Sequence, residues 1–291
     1  MKISGRMLFN NKLDLVGLLL FFLLAVLPLV LGVGYALLYS TGIIGVLNHG
    51  FTLHYWKEVL QDPEIYYSLG FSFYVAATAL LIAVILALAG TLLFHREIGR
   101  GFFSYIVYFP LAIPGIVAAL FVMQIFSGAG FLSRICYQFG LINSVHNFPG
   151  LINDQWGMGI ILALVMLSTP FFMIYFQTIY QSERLEELHQ LATTLGASWH
   201  EIALKVKIPI ILRRAFPTLV LYFIFMLGSY EIPLLLGAQS PQMVSVLVIR
   251  KLRRYNLMNI PQAYIIAILY IILVLSIVVY LFKKRKLQYD L

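Results

Sequence analysis

The chain alternates between long apolar runs and short polar connectors. Six runs stand out: Leu15 to Tyr39, Tyr66 to Phe94, Phe102 to Phe126, Gly157 to Tyr180, Ala215 to Leu236 and Gln262 to Phe282. Each holds at least about 20 residues, enough for a helix to cross the hydrocarbon layer with some tilt. The pattern predicts an all-α polytopic membrane protein with six transmembrane helices in a single domain, 1–291, without internal repeats or a soluble insertion. Asp62-Pro63 reads as an N-cap and first-turn proline opening the second run. The first run follows Lys2, Arg6 and Lys12, as in a signal peptide. It exceeds the usual h-region of ~7–15 residues and no small-residue cleavage site follows, so it reads as a retained span.

Composition agrees with this pattern. Apolar residues make up 61% of the 291 positions and charged residues 11%, against about 45–50% and 25% in soluble domains. Disorder, a collagen-like chain and a nucleic-acid-binding domain are thereby disfavoured. The lone Cys136 excludes an internal disulfide and a cysteine-based metal site, and reads as a small apolar filler.

The net charge of +8 bears on membrane sidedness. With the N-terminus inside, Lys2, Arg6, Lys12, Arg96, Arg100, Arg184, Lys205, Lys207, Arg213, Arg214, Lys283, Lys284, Arg285 and Lys286 fall on the cytoplasmic side. Only Lys57, Arg134, Arg250, Lys251, Arg253 and Arg254 fall outside. The excess predicts cytoplasmic N- and C-termini. The outer exception, Val244 to Tyr255, mixes Val246, Leu247, Ile249 and Leu252 with four basic residues and predicts an amphipathic helix on the outer face.

The longest cytoplasmic connector, 183–209, has its own pattern. Leu185, Leu188, Leu191, Ala192 and Leu195 recur at helical spacing. Gly196 suits a left-handed helix end, Ser198 with Glu201 matches a capping box, and Pro209 is expected to terminate the second helix. This predicts helix, elbow, helix, with Trp199 near the bend. Its apolar stripe needs a cover, either the membrane core of its own chain or another subunit; an ordinary interfacial hairpin is the plainer alternative.

This connector resembles the EAA loop of binding-protein-dependent, type I ABC-importer permeases. Gly196, Ala197, Val206, Ile208 and Pro209 fall on pattern positions, as does Ala192, with the glycine-to-proline spacing kept. Gln190 replaces the pattern's glutamate, Leu191 its first alanine and Ala203 its aromatic residue. The resemblance implies a type I permease fold and a coupling hairpin, formed by Gln190, Leu191, Ala192, Gly196, Ala197, Ser198, Trp199, Glu201 and Pro209, that docks on an ATPase partner. It further implies two ATP-binding subunits holding ATP and Mg, a second permease subunit that is a different chain, with a homodimer as the alternative, an extracytoplasmic solute-binding protein and a bacterial-type cytoplasmic membrane. This chain has no phosphate-loop motif and is expected to carry no cofactor and no enzyme chemistry.

Earlier in the chain, Phe109-Pro-Leu-Ala-Ile-Pro-Gly resembles the family's third core helix, where Pro110 and Pro114 would loosen the backbone near the pathway. A merely kinked helix is the alternative. Thr194-Leu-Gly-Ala-Ser198 is closer to polyamine, iron and phosphonate-type permeases than to sugar permeases.

Glu231 is the only acid or base well inside an apolar run. Insertion of such a carboxylate costs about 2.5–3.5 kcal/mol, so it should face a cavity or a partner. Gly228-Ser-Tyr-Glu-Ile-Pro-Leu-Leu-Leu-Gly237 resembles the end of the fifth helix in polyamine-type permeases, although their acid would fall on Ser229. Glu231, with Tyr230 and Ser229, is then a candidate for meeting a cationic solute, best matched by a spermidine or putrescine-type polyamine; a structural contact is the alternative. Phosphonate, iron-chelate and carbohydrate import are the other transport readings. The resemblance also makes Arg250, Arg253 and Arg254 candidates for contact with the binding protein, with a lipid-anchoring face as the alternative. An intramembrane enzyme lacks a histidine or paired acids in the spans, and an ion-coupled carrier should show repeats or several buried charges.

Overall fold

A computed structural model describes residues 12–46, 50–99 and 101–289. Lys2, Arg6 and Arg100 of the inside count lie outside the described residues. Every regular element among the described residues is helical. In chain order these are α1 (Lys12–Phe21), α2 (Leu27–Ser40), α3 (His54–Gln61), α4 (Pro63–Phe94), α5 (Gly101–Tyr108), α6 (Gly115–Phe126), α7 (Phe131–Gln138), α8 (Met158–Ser182), α9 (Leu185–Thr194), α10 (Trp199–Ile202), α11 (Ile208–Leu227), α12 (Glu231–Leu236), α13 (Val244–Leu252) and α14 (Asn259–Tyr289). Six segments among the described residues are long and apolar enough to cross a membrane: Leu15–Ser40, Pro63–Phe94, Gly115–Gln138, Met158–Ser182, Trp199–Leu227 and Asn259–Lys283. The expected all-α, six-span architecture is therefore present.

The chain groups into two compact units, Met1–Asp62 with Val248–Ile277, and Pro63–Leu247 with Val278–Leu291. In the first, Tyr35, Tyr39 and Tyr264 cluster with ring centroids 4.9–5.9 Å apart. Trp56 Nε1 donates to Ser40 Oγ at 3.3 Å. Lys251 is only 4% exposed, and its ammonium meets Asp62 Oδ2 and Gln262 Oε1, each at 3.1 Å. The predicted helix over the outer basic segment exists as α13, but its charges are not uniformly solvated. Lys251 turns inward to a carboxylate because burying an unpaired ammonium is costly.

The second unit is built on α4 packed along α8. Ser68, Ser72, Ala76, Ala79, Ala83, Ala87 and Thr91 recur every three or four residues on the buried face of α4. Such small side chains let two helix backbones approach closely where hydrocarbon offers no hydrophobic drive for association. Gly90 belongs to this seam, since a Cβ there would come within 2.7 Å of Met173 Cε. Phe172, Phe176, Leu185, Ala203, Ile211 and Ala215 then join α8, α9 and α11 to the same core.

Prolines reshape the predicted spans in two ways. The third run is not one helix: Pro110 lies in a 3₁₀ turn, Phe109–Ala112, and Pro114 is extended (φ −61°, ψ 150°) as the N-cap of α6. Proline lacks an N–H, and the residue before it is pushed out of the helical region, so two prolines four residues apart interrupt the ladder rather than loosen it. The fifth run also divides, α11 ending at Leu227 and α12 starting at Glu231. By contrast, Pro209 does not terminate a helix. A π-helical turn, Ala203–Lys207, precedes it and the chain continues into α11. Another π-turn, Phe22–Val26, precedes Pro28. In both places the wider turn makes room for a proline ring that would clash with the carbonyl four residues back.

Candidate functional site

The hairpin predicted over 183–209 forms by local hydrogen bonding. After α8, Arg184 adopts a left-handed conformation (φ 49°) that redirects the chain into α9. That helix closes at Gly196, whose φ of 86° favours glycine. Gly196 N–H donates to the Thr193 carbonyl at 3.0 Å and Ala197 N–H to that of Ala192 at 3.1 Å, satisfying carbonyls at the helix end. The capping box is complete. Glu201 N–H donates to Ser198 Oγ at 3.4 Å and Ser198 N–H donates to Glu201 Oε2 at 3.1 Å.

The apolar stripe has two fates. Leu185 is fully buried in the chain's own core, whereas Leu188, Leu191, Leu195 and Trp199 are exposed, Leu191 at 61% and Leu195 at 88%. Gln190 is exposed and Ala192 half-buried. The hairpin thus has a packed base and an uncovered apolar tip. A tip of this composition is suited to contact with another surface, because apolar area outside hydrocarbon gains from being covered.

The base contains a polar cluster that the sequence reading did not find. Tyr180, near the end of α8, donates its hydroxyl to Glu186 Oε2 at 2.7 Å. The same phenol oxygen accepts from Lys207 Nζ at 2.9 Å. Arg96 Nη2 donates to Glu186 Oε1 at 3.1 Å, while His95 Nε2 lies 3.4 Å from Oε2 and its ring stacks on Tyr180 at 4.8 Å. The Tyr180 hydrogen bond, followed by Arg96 and neighbouring positive charge, holds the Glu186 carboxyl below its ordinary range despite partial burial. Lys207, counted from sequence as a cytoplasmic loop charge, is 4% exposed. Burial of this ammonium is offset by the Tyr180 phenol that it reaches. Arg214 Nε and Glu183 Oε1, 2.6 Å apart, make a second link at the base. Residues 95 and 186, or 180 and 207, share no local motif, so only the spacing of charges within the loops could have hinted at these pairs.

The other predicted site residues converge at the helix breaks. Helix α12 packs against α6, and a Cβ on Gly115 would stand 3.4 Å from Glu231 Oε2. Glu231 therefore does not lie within one continuous helix, as the unbroken fifth run implied; it opens the short α12, beside the start of α6. Its carboxylate is exposed and has no hydrogen-bond or ion-pair partner among the described residues. Tyr230 and Ser229 form the bend before it and are half-buried. Ser245 Oγ donates to the Ser229 carbonyl at 2.5 Å, supplying a partner for a carbonyl released by the break. Pro114 precedes Gly115 and so belongs to this junction, whereas Pro110 lies one 3₁₀ turn away, packed toward α8. Two broken helices thus bring a free acid, a tyrosine and irregular backbone to one place, an arrangement suited to polar contact within a membrane. Of the basic candidates, Arg253 and Arg254 are exposed beyond the end of α13, and Arg250 is half-buried on it.

Comparison with known proteins bears on both features. A family model described as "Binding-protein-dependent transport system inner membrane component" matches residues 79–286, which contain the hairpin and both helix breaks. The probable sulfate transport system permease protein cysT of Zygnema circumcarinatum is 26% identical over 239 residues, covering 79% of this chain and 79% of that protein. The thiamine transport system permease protein ThiP of Escherichia coli (strain K12) is 30% identical over 195 residues, covering 66% of this chain and 34% of that protein. Among solved structures, one from a bacterial alginate ABC transporter in complex with an alginate pentasaccharide-bound periplasmic protein matches with a TM-score of 0.68. That match covers 91% of this chain and 90% of the other at 16% identity, a likeness of fold. With the family model extending over most of six apolar helices and the whole hairpin, the chain belongs to the binding-protein-dependent transport system inner membrane components and is a multi-pass permease subunit of an ABC importer.

Proposed function

We propose that this permease is one of two membrane subunits of an ATP-driven importer, and that the exposed tip of its hairpin docks on a separate ATPase. The observation that carries this reading is the stripe Leu188, Leu191, Leu195 and Trp199, left uncovered around a bend held by Gly196 and the Ser198–Glu201 capping box. Two ATPase subunits hold ATP and Mg, and the hairpin passes their closure to α8 and α11, so that the pathway alternates between its two openings. The second membrane subunit is a different chain, and a solute-binding protein outside the cell delivers the cargo, with Arg250, Arg253 and Arg254 as its contact. The excess of Lys and Arg on the hairpin side supports cytoplasmic N- and C-termini in a bacterial-type cytoplasmic membrane. The test is co-purification. The ATPase should accompany the wild-type chain and be lost from Leu191→Asp, because a buried interface does not accept an unpaired carboxylate. Retention of the ATPase by a folded Leu191→Asp would refute docking through this stripe.

For the cargo we infer an organic cation. An unpartnered Glu231 beside Tyr230 suits an ammonium or ring cation through charge attraction and cation–π contact. A polyamine is the first choice. Thiamine is the second, supported by the 30% identity to ThiP. The relatives named for sulfate favour an anion, for which a free carboxylate at the junction of α6 and α12 is a poor neighbour. Thermal shifts of the cognate binding protein with spermidine, thiamine and sulfate decide among them. A shift with sulfate alone would overturn the cation reading.

A further inference from the structure

The cluster at the hairpin base is distinct from the exposed tip and from the helix breaks, and its connectivity is specific. Glu186 lies in the first turn of α9, on the leg that enters the hairpin. Lys207 is the last residue before α11, on the leg that leaves it. The two do not meet directly; each bonds to the one phenol oxygen of Tyr180 on α8, at 2.7 and 2.9 Å. The phenol gives its proton to Glu186 and uses its lone pair for the Lys207 ammonium, so a single hydroxyl satisfies both charges. Arg96 and His95 reach the same Glu186 from the connector after α4. Gln177, one turn earlier on α8, donates to the His95 carbonyl at 2.5 Å.

We propose that Tyr180 is a positioning residue that couples the hairpin to the membrane helices by tying its two legs, and the connector after α4, into one rigid base. The inference rests on the docking reading above. Motion applied at Leu191 and Trp199 reaches α8 and α11 only if the legs move together. If they splay, ATPase closure bends the hairpin and the helices stay behind. The base is built against splaying. Leu185 and Ala203 are buried in the same core cluster as Tyr180 and Ile211, and Glu183 with Arg214 adds a second tie between the legs. Loss of the Tyr180 hydroxyl leaves a buried Lys207 ammonium and the Glu186 carboxylate each short of a partner. The hairpin tip, which contains none of these groups, keeps its own shape and its contact surface.

The experiment uses the full transporter in proteoliposomes, with whichever of spermidine, thiamine or sulfate shifts the cognate binding protein as the labelled probe and its import per ATP hydrolysed as the readout. Tyr180→Phe is expected to assemble and hydrolyse ATP while import per ATP falls by about fivefold, the factor that one net hydrogen bond carries. Lys207→Met should lower the same ratio, and the double variant should lose little more than Tyr180→Phe, since both remove one link. An unchanged ratio in assembled Tyr180→Phe, or equal loss of hydrolysis and import, would overturn the proposal. Should Tyr180→Phe fail to assemble, Lys207→Met decides by the same ratio. A folded Leu191→Asp that still binds the ATPase would instead refute the docking reading, and it leaves the base cluster untouched.

Discussion

Glu231 opens helix α12 directly against Gly115, the first residue of α6, so that a methyl group on Gly115 would lie 3.4 Å from the carboxylate. Each residue follows a break in an apolar run, and the breaks face one another because α12 packs on α6. The carboxylate is exposed without a partner among the described residues.

Substitution of Glu231 should therefore separate transport from stability. An exposed side chain without partners contributes within about ±0.5 kcal/mol to folding, so Glu231→Gln should keep the wild-type thermal midpoint in detergent. Transport of a cationic solute at subsaturating concentration should fall by about tenfold, equivalent to ~1.4 kcal/mol of lost interaction. Wild-type rates across the full concentration range would remove Glu231 from the pathway.

Gly196 tests the hairpin bend. Nothing lies within 4 Å of a Cβ built there, yet its φ is 86°, so the penalty for Gly196→Ala comes from backbone conformation alone. It should amount to about 1–2 kcal/mol. Gly196→Asn should cost less, since asparagine tolerates the left-handed region, and Gly196→Val more. Import and binding-protein-stimulated ATP hydrolysis should follow the order Gly, Asn, Ala, Val.

The capping box makes a sharper local prediction. Ser198→Ala removes the acceptor for the Glu201 N–H and should destabilise the start of α10 by about 1 kcal/mol. Ser198→Thr should restore it. Glu201→Gln should retain hairpin function better than Glu201→Ala, because glutamine still accepts from the Ser198 N–H. Hydrogen exchange at the amides of 198–202 is the direct measurement.

Glu186 predicts a pH effect with a defined sign. Its folded-state pKa lies below the ordinary value, first through the Tyr180 hydrogen bond and then through Arg96. A carboxylate of this kind adds stability above its unfolded pKa, and that stability is lost as pH falls through the folded value. Thermal midpoints of the purified permease should thus decline on acidification more steeply in wild type than in Glu186→Gln. Near neutral pH the variant should be the less stable of the two. Parallel curves from neutral to acid pH would show that Glu186 has no such linkage.

Local chemistry made much of this protein legible. The six apolar segments could be read because each must satisfy its own backbone in hydrocarbon and must be about 20 residues long to cross it. The Gly196 bend and the Ser198–Glu201 box could be read because their partners lie within a few residues. Packing decided the rest. Pro209 was expected to stop a helix, but the π-turn over Ala203–Lys207 absorbs it, and no local rule distinguishes those outcomes. Lys207 was counted with the cytoplasmic connector and Lys251 with an outer amphipathic helix, yet both are buried because Tyr180 and Asp62 are brought to them. Likewise, the sequence determined that Glu231 stood alone among apolar neighbours, whereas the packing of α12 on α6 decided that it faces Gly115. Hydrogen bonding and hydrophobicity act along the chain and leave a local pattern. Contacts between residues some 27 to 190 positions apart depend on how whole helices pack, and leave none.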